Sequence, residues 1–152
     1  MHGLALDRSE VPNHLFETHA LAEREYTRDG GSEVRFLWRA SPTLLPVWKD
    51  GRLTLACWGS KGRTGKLPPG GWKWQVTVES GGWANAGAEL ADVPATFIWA
   101  GGMWAKVRHG VRALVVPTPA GPVAYVVCRP ASRYYRIMTG VEWMPVLIGE
   151  VI

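Results

Sequence analysis

Two apolar segments on either side of Asp50-Gly51 carry the clearest structural pattern in the chain. Residues 44–48 precede this dipeptide and residues 52–58 follow it, and both segments are rich in branched and aromatic side chains. Asp-Gly tolerates the positive φ angles that a two-residue hairpin turn requires. The pattern therefore predicts a β-hairpin.

The second strand of this hairpin also predicts which side chains face a core. Leu53, Leu55 and Cys57 stand at alternate positions, so they are expected to share one apolar face. Pro42 and Pro46 lack the N–H group that a central ladder needs. The entry to the hairpin is therefore predicted to lie at a sheet edge or a bulge.

Further strands are predicted from short apolar or alternating segments. Residues 34–38 and 72–79 alternate with a period of two, as half-buried strands do. Residues 111–116 and 123–128 are continuous branched apolar runs joined by a Pro/Gly-rich turn. We expect the last two to form a second, buried hairpin.

Helical spacing is found mainly near the start of the chain. Residues 9–28 carry a rough apolar stripe at Leu15, Phe16, His19, Ala22 and Tyr26. Ser9 or Asn13 could cap this helix, and Gly30-Gly31 would end it. A shorter helix, capped by Ser132, is predicted within residues 129–138.

These elements predict a single, mainly β domain over residues 1–152. We expect a curved antiparallel sheet or a partly closed β-barrel, with one N-terminal helix and few other short helices. The 18 glycines and 11 prolines agree with many turns between short strands. An apolar content of 47% with 20% charged residues is ordinary for a globular protein and excludes a disordered chain.

Charge and cysteine usage narrow the functional classes. The net charge of +4 and a pI near 9.3 permit a nucleic-acid partner without requiring one. Cys57 and Cys128 lie in apolar runs and are expected to be buried, reduced thiols. No apolar run has transmembrane length and the N-terminus lacks a signal-peptide pattern, so a cytoplasmic protein without a membrane partner is expected.

A basic loop beside tryptophans is the main candidate binding site. Cations next to exposed aromatic rings suit single-stranded nucleic acid, whose phosphates meet the charge while bases stack on the rings. The predicted contacts are Lys61, Arg63, Lys66, Trp72, Lys73 and Trp74. A solvated loop surrounded by core tryptophans explains the same residues equally well. No metal cluster or phosphate-loop motif is complete, so no cofactor is expected.

Several segments resemble, in the same order, the SOS response-associated peptidase (SRAP) family. The first segment reads Ala-Ser-Pro-Thr, then Pro-Val, then Gly-Arg-Leu and Trp-Gly across residues 40–59. The most specific segment is Asn85 to Phe97, in which Asn85, Ala86, Ala88, Glu89, Pro94, Ala95 and Phe97 match. Residues 99–106 resemble a degenerate version of a third family motif, and Met144-Pro145-Val146 match the family's last motif.

The resemblance also implies that the family's chemistry has been lost. Family members capture the aldehyde of an abasic site in single-stranded DNA through the amine and thiol of a cysteine that follows the initiator methionine. That position is His2 here. The assisting glutamate and histidine correspond to Ala105 and Val141, and the family's asparagine remains as Asn85. The resemblance thus implies a pseudo-enzyme with no catalytic residue.

Two functions remain open at this point. The first is a non-catalytic SRAP-like protein that binds single-stranded or damaged DNA without a covalent adduct. The second is a protein–protein interaction module, such as a phage accessory or host-interaction protein, that reuses the same fold. An enzyme with an unrelated site has the least support, because neither a Ser-His-Asp arrangement nor a carboxylate pair stands out.

Overall fold

The structure is a computed structural model that describes residues 1–61 and 67–149. In chain order its strands are β1 (Gly3–Asp7), β2 (Glu25–Arg28), β3 (Gly31–Leu37), β4 (Leu44–Lys49), β5 (Arg52–Trp58), β6 (Trp72–Trp74), β7 (Glu89–Val93), β8 (Phe97–Ala100), β9 (Met103–Lys106), β10 (Val111–Val116), β11 (Val123–Pro130) and β12 (Trp143–Pro145). The helices are α1 (Asn13–Thr18), α2 (Gln75–Glu79) and α3 (Arg133–Thr139), and 3₁₀ turns cover Arg8–Glu10, Leu21–Arg24 and Ala84–Ala86. The prediction of a mainly β fold with few short helices is confirmed.

The first layer is a curled antiparallel sheet with the strand order β2-β3-β1-β8-β9. Leu4, Phe36 and Ile98 lie side by side on its core face, where all three are buried. The opposite face forms a trough. Although β2 and β9 are the two outer strands, the Arg28 guanidinium of β2 lies 5.2 Å from the centre of the Trp104 ring in β9. Ala5 of the central strand lies opposite Arg35 of β3 and Phe97 of β8.

The second layer is a closed barrel in which β10-β7-β4-β5-β11 follow one another and β11 pairs again with β10. Strand β11 is the organising element because four strand pairings meet on it. It pairs with β5 and β6 in parallel and with β10 and β12 in antiparallel orientation. Buried side chains from both layers form one continuous apolar core.

Three local predictions are confirmed. Asp50 and Gly51 have φ angles of 52° and 77° and join β4 to β5, as expected for the hairpin turn. Strands β10 and β11 form the second hairpin, with Ala113 opposite Val126. Helix α3 begins after Ser132, whose hydroxyl accepts a hydrogen bond from the Tyr135 N–H at 3.2 Å.

The predicted helix over residues 9–28 is wrong in its extent. Only Asn13–Thr18 is α-helical, and the chain breaks at Ala20, which adopts a left-handed φ of 51°. Neither Ser9 nor Asn13 is the N-cap; Pro12 occupies that position without a side-chain cap. Residues 25–28 instead pair with β3, where Tyr26 and Thr27 suit a strand better than an isolated, short helix.

The predicted strand over residues 72–79 is also shorter than expected. Strand β6 ends at Trp74, and Gln75–Glu79 form helix α2. Strand β6 pairs with β11 only from Val126 to Cys128. Beyond that register, alternation alone did not determine the conformation.

Two predictions about the first hairpin need correction. Strand β4 lies between β5 and β7, so Pro46 is not on an edge strand. Strand β4 pairs with β7 at Trp48, which lies opposite Asp92. Pro46 is not part of that pairing, so its lack of an N–H group does not interrupt it. Cys57 is exposed, whereas Ala56 and Trp58 are buried, because the strand changes the face that it turns to the core.

Candidate functional site

Four tryptophans meet where the barrel contacts the curled sheet, and we call them the tryptophan cluster: Trp38, Trp58, Trp72 and Trp143. The ring of Trp72 is central, with centroid distances of 4.8 Å to Trp38, 5.7 Å to Trp58 and 5.6 Å to Trp143. The His2 ring lies 5.9 Å from Trp72 in an edge-on arrangement. Tilted and edge-on contacts at these distances are favourable for aromatic rings.

The strand pairings around β11 bring the cluster together. Trp58 lies opposite Ala124, Trp72 lies opposite Val126, and Trp143 lies opposite Pro130. Trp38 follows β3, and its backbone N–H donates to the His2 carbonyl at 2.9 Å. Residues from five distant parts of the chain therefore form one site.

Part of the cluster is structural. The Trp58 ring is buried and its Nε1–H donates to the Gly71 carbonyl at 3.0 Å. A Cβ atom on Gly71 would lie 2.7 Å from the Trp38 ring and 2.8 Å from Trp58 Nε1. Gly71 is thus required for the close approach of these two rings.

Another part of the cluster is open to a ligand. Trp72, Lys73, Trp74, Cys128 and Trp143 line a cavity of about 200 Å³. The Trp74 side chain is 49% exposed. Aromatic walls with an open side can receive a flat, apolar group.

Two cationic side chains, Lys61 and Arg39, lie on the Trp38 and His2 side of the tryptophan cluster. The Lys61 ammonium lies 5.1 Å from the centre of the Trp38 ring. The pKa of His2 is lowered, first by burial and then by the positive charges of the N-terminal amine and Arg39. His2 is therefore neutral at pH 7, and Lys61 and Arg39 supply positive charge on this side.

The sequence-predicted binding residues do not all share one face. Trp72 and Trp74 stand at alternate positions of β6. Lys73 also borders their cavity, but its ammonium lies 5.1 Å from the centre of the Tyr125 ring. Burial lowers the pKa of Lys73. Arg63 and Lys66 lie outside the described residues, and their predicted role stays a prediction.

The positions that correspond to the SRAP-type site fall in three places. His2 contacts the tryptophan cluster. Ala105 and Thr139 line a common cavity, and the Val141 N–H donates to Thr139 Oγ1 at 3.2 Å. Asn85 is exposed in the 3₁₀ turn that precedes Gly87, a residue close to Pro117. Among the described residues, no hydrogen bond or ring contact connects Asn85 to His2.

Three buried ionisable groups lie close to one another near the cluster: the Cys128 thiol, the Met1 α-amine and the Tyr135 hydroxyl. Burial raises the pKa of the Cys128 thiol to about 12, although the nearby α-amine of Met1 opposes the shift. Burial likewise lowers the pKa of the Met1 α-amine to about 6 and raises that of the Tyr135 hydroxyl to about 12. Met1 has no exposed surface. The thiol is therefore protonated and is a poor nucleophile.

Three residues of the site were missed by sequence reasoning: Trp38, Arg39 and Trp143. Trp38 was included in a predicted strand and Trp143 in a closing apolar segment, but nothing local to either distinguishes a site residue from a core residue. The excess of tryptophan, nine in 152 residues, was the available signal. It indicates an aromatic cluster without showing which rings join it.

Comparisons with known proteins add no relative: no protein-family model, curated protein or solved structure matches the chain. In the described residues no helix is long and apolar enough to cross a membrane. The same part of the chain contains no group of three or more His, Cys, Asp or Glu side chains placed to hold a metal ion.

Proposed function

We propose that this protein binds single-stranded DNA non-covalently at the open side of the tryptophan cluster. The observation that carries the proposal is the aromatic cavity between Trp72, Trp74 and Trp143. Lys61 lies against the same cluster through Trp38. Exposed rings next to cations are the combination that sequence-tolerant binding of single strands uses.

Stacking on Trp74 is the main expected source of affinity. Its half-exposed ring can cover a base face, and one such contact contributes about 1–3 kcal/mol. Lys61 and Arg39 would contact phosphates, which makes the binding weaker as salt rises. The net charge of +4 favours the approach of a polyanion.

The resemblance to the SRAP family supports DNA as the ligand, and the site supports binding without covalent chemistry. His2 supplies no thiol, and the Cys128 thiol has a pKa of about 12. Ala105 and Val141 carry no group that could transfer a proton. A pseudo-enzyme that holds damaged or single-stranded DNA fits these residues. We place it in the cytoplasm, since its two cysteines are unpaired.

Fluorescence anisotropy with a labelled oligothymidylate tests the proposal. Trp74→Ala is expected to weaken binding by roughly 5- to 150-fold, which corresponds to about 1–3 kcal/mol. Trp48→Ala is the matched control, because Trp48 is similarly exposed, at 44%, but lies on β4 away from the cluster. It should leave the affinity unchanged.

The charge contribution is tested separately by salt titration. Lys61→Ala should reduce the slope of log affinity against log salt by about one phosphate contact, roughly 0.7. Lys49→Ala, a cation that pairs with Glu89 at 3.6 Å, should leave the slope unchanged. Equal effects of Trp74→Ala and Trp48→Ala, or no strand binding at low salt, would contradict the proposal.

A further inference from the structure

Helix α3 presents an apolar surface that the proposed DNA site does not use. Tyr134, Ile137 and Met138 are 60%, 72% and 38% exposed. Their spacing places them on one side of the helix, while Tyr135 and Thr139 face the core. Three of the eight large apolar side chains that are exposed in the described residues therefore lie on a single short helix.

A cavity lies directly beside this surface. It has a volume of about 250 Å³ and is lined by α3 side chains, including Tyr134 and Met138, and by Ile98, Ala105 and Leu147 from outside the helix. Pockets for drug-sized ligands usually begin at about 300 Å³. The cavity is therefore better suited to one large side chain of a partner than to a cofactor.

The charges around the cavity are positive. Lys106 is exposed and borders both this cavity and the trough of the curled sheet, and Arg133 is exposed at the first turn of α3. None of its described lining residues is a carboxylate. On α3 itself, Arg136 pairs with Glu142 at 3.4 Å.

We propose that the α3 surface docks an acidic segment of a partner protein, which inserts one large apolar side chain into this cavity. The segment's carboxylates would meet Lys106 and Arg133, and its neighbouring apolar side chains would cover Ile137. Charge complementarity selects an acidic partner, and the volume and apolar lining of the cavity select one with an aromatic or leucine side chain. This proposal does not depend on DNA binding at the tryptophan cluster.

The probe is a fluorescein-labelled peptide with a central Phe-Leu pair flanked on both sides by Asp and Glu, measured by anisotropy. Ile137→Ser is expected to weaken its binding at least about fivefold, the loss typical of an interface residue that contributes more than about 1 kcal/mol. Leu90→Ser is the matched control on β7, where Leu90 is 56% exposed. It should bind the peptide like the parent.

Arg133→Glu tests the electrostatic part. It should weaken binding at low salt by at least about fivefold, and less at high salt, whereas Arg52→Glu on β5 should not. All four positions are exposed, so thermal melts should show that the variants remain folded. A version of the peptide with Ala in place of the Phe-Leu pair should lose most of its affinity.

Three results would overturn the proposal. One is the absence of peptide binding, and another is equal weakening by Arg133→Glu and Arg52→Glu, which would indicate unspecific attraction. The third is binding of labelled oligothymidylate, but not of the peptide, that depends on Arg133 and Ile137. That result would assign the surface to nucleic acid instead.

Discussion

Replacing Glu33 by Gln should destabilise the protein more than the equivalent replacement of any other carboxylate within residues 1–61 and 67–149. Glu33 is only 4% exposed and lies in the trough of the curled sheet. Arg28 donates to both of its oxygens, at 2.5 and 3.0 Å, and Arg35 donates to Oε2 at 2.8 Å. The guanidinium groups also lie 4.0 Å from the Phe97 ring and 4.1 Å from the Tyr26 ring, which keeps them in place.

The expected cost follows from this geometry. Removing one partner of a buried ion pair costs about 3–5 kcal/mol, because the remaining charge stays unpaired. Both arginine side chains retain 22% exposure, so water compensates part of the loss. We expect Glu33→Gln to lower the free energy of unfolding by about 2–4 kcal/mol. For a chain of this size that corresponds to a fall in Tm of roughly 5–15 °C.

The pH dependence gives an independent check. Burial alone would raise the pKa of Glu33, but the hydrogen bonds and charges of Arg28 and Arg35 outweigh it and lower the pKa below its ordinary value of 4.5. The stabilisation is therefore complete above that value and is lost as the pH falls through the lower pKa of the folded state. The difference in stability between parent and Glu33→Gln should be full at pH 7 and shrink in acid.

Urea unfolding followed by tryptophan fluorescence measures both quantities. Glu25→Gln is the matched control, since Glu25 pairs with Arg8 at 3.4 Å and its side chain is 39% exposed. It should cost less than about 1 kcal/mol. The reasoning would be refuted if Glu33→Gln lay within about 0.5 kcal/mol of the parent, or if the two variants lost equal stability.

Three further outcomes are expected. Gly101→Ala should lower the free energy of unfolding by more than about 2 kcal/mol in thermal melts, because the φ of Gly101 is 57° and an added Cβ would collide with the Thr139 carbonyl. Gly102→Ala is the control: its Cβ would meet open space, and it should cost about 1 kcal/mol. Ellman's reagent should titrate Cys57 in the folded protein and Cys128 only after unfolding, since Cys57 is exposed and Cys128 is buried with a pKa raised to about 12; rapid reaction of both thiols in the folded state would contradict this. Abasic single-stranded DNA should give no shifted band on a denaturing gel without borohydride, because His2 offers no thiol; a robust band that disappears on changing His2 would overturn the pseudo-enzyme interpretation.

Local chemistry in the sequence determined the hairpins, the capped helix and the fold class. Asp50-Gly51 tolerates the positive φ angles of its turn, and Ser132 satisfies a free N–H at the start of α3. Each of these features depends on residues that are close in sequence, so their effect does not require the rest of the chain. The site was predictable only as a combination of cations and tryptophans near residues 61–74.

Only the tertiary structure decided which of these residues act together. Trp143 lies next to Trp72 because β11 pairs with β6 in parallel and with β12 in antiparallel orientation. Trp38 follows β3 of the other sheet and is held by the hydrogen bond from its N–H to the His2 carbonyl. Pairing between distant strands cannot be recognised from the local sequence. The Lys73 ammonium lies near the Tyr125 ring and not beside the Trp72 ring, since successive side chains of a strand point to opposite faces. Residues 25–28 form a strand despite their helical spacing, because they pair with β3. Side-chain periodicity restricts the local conformation, but burial against a distant strand sets the conformation that is adopted.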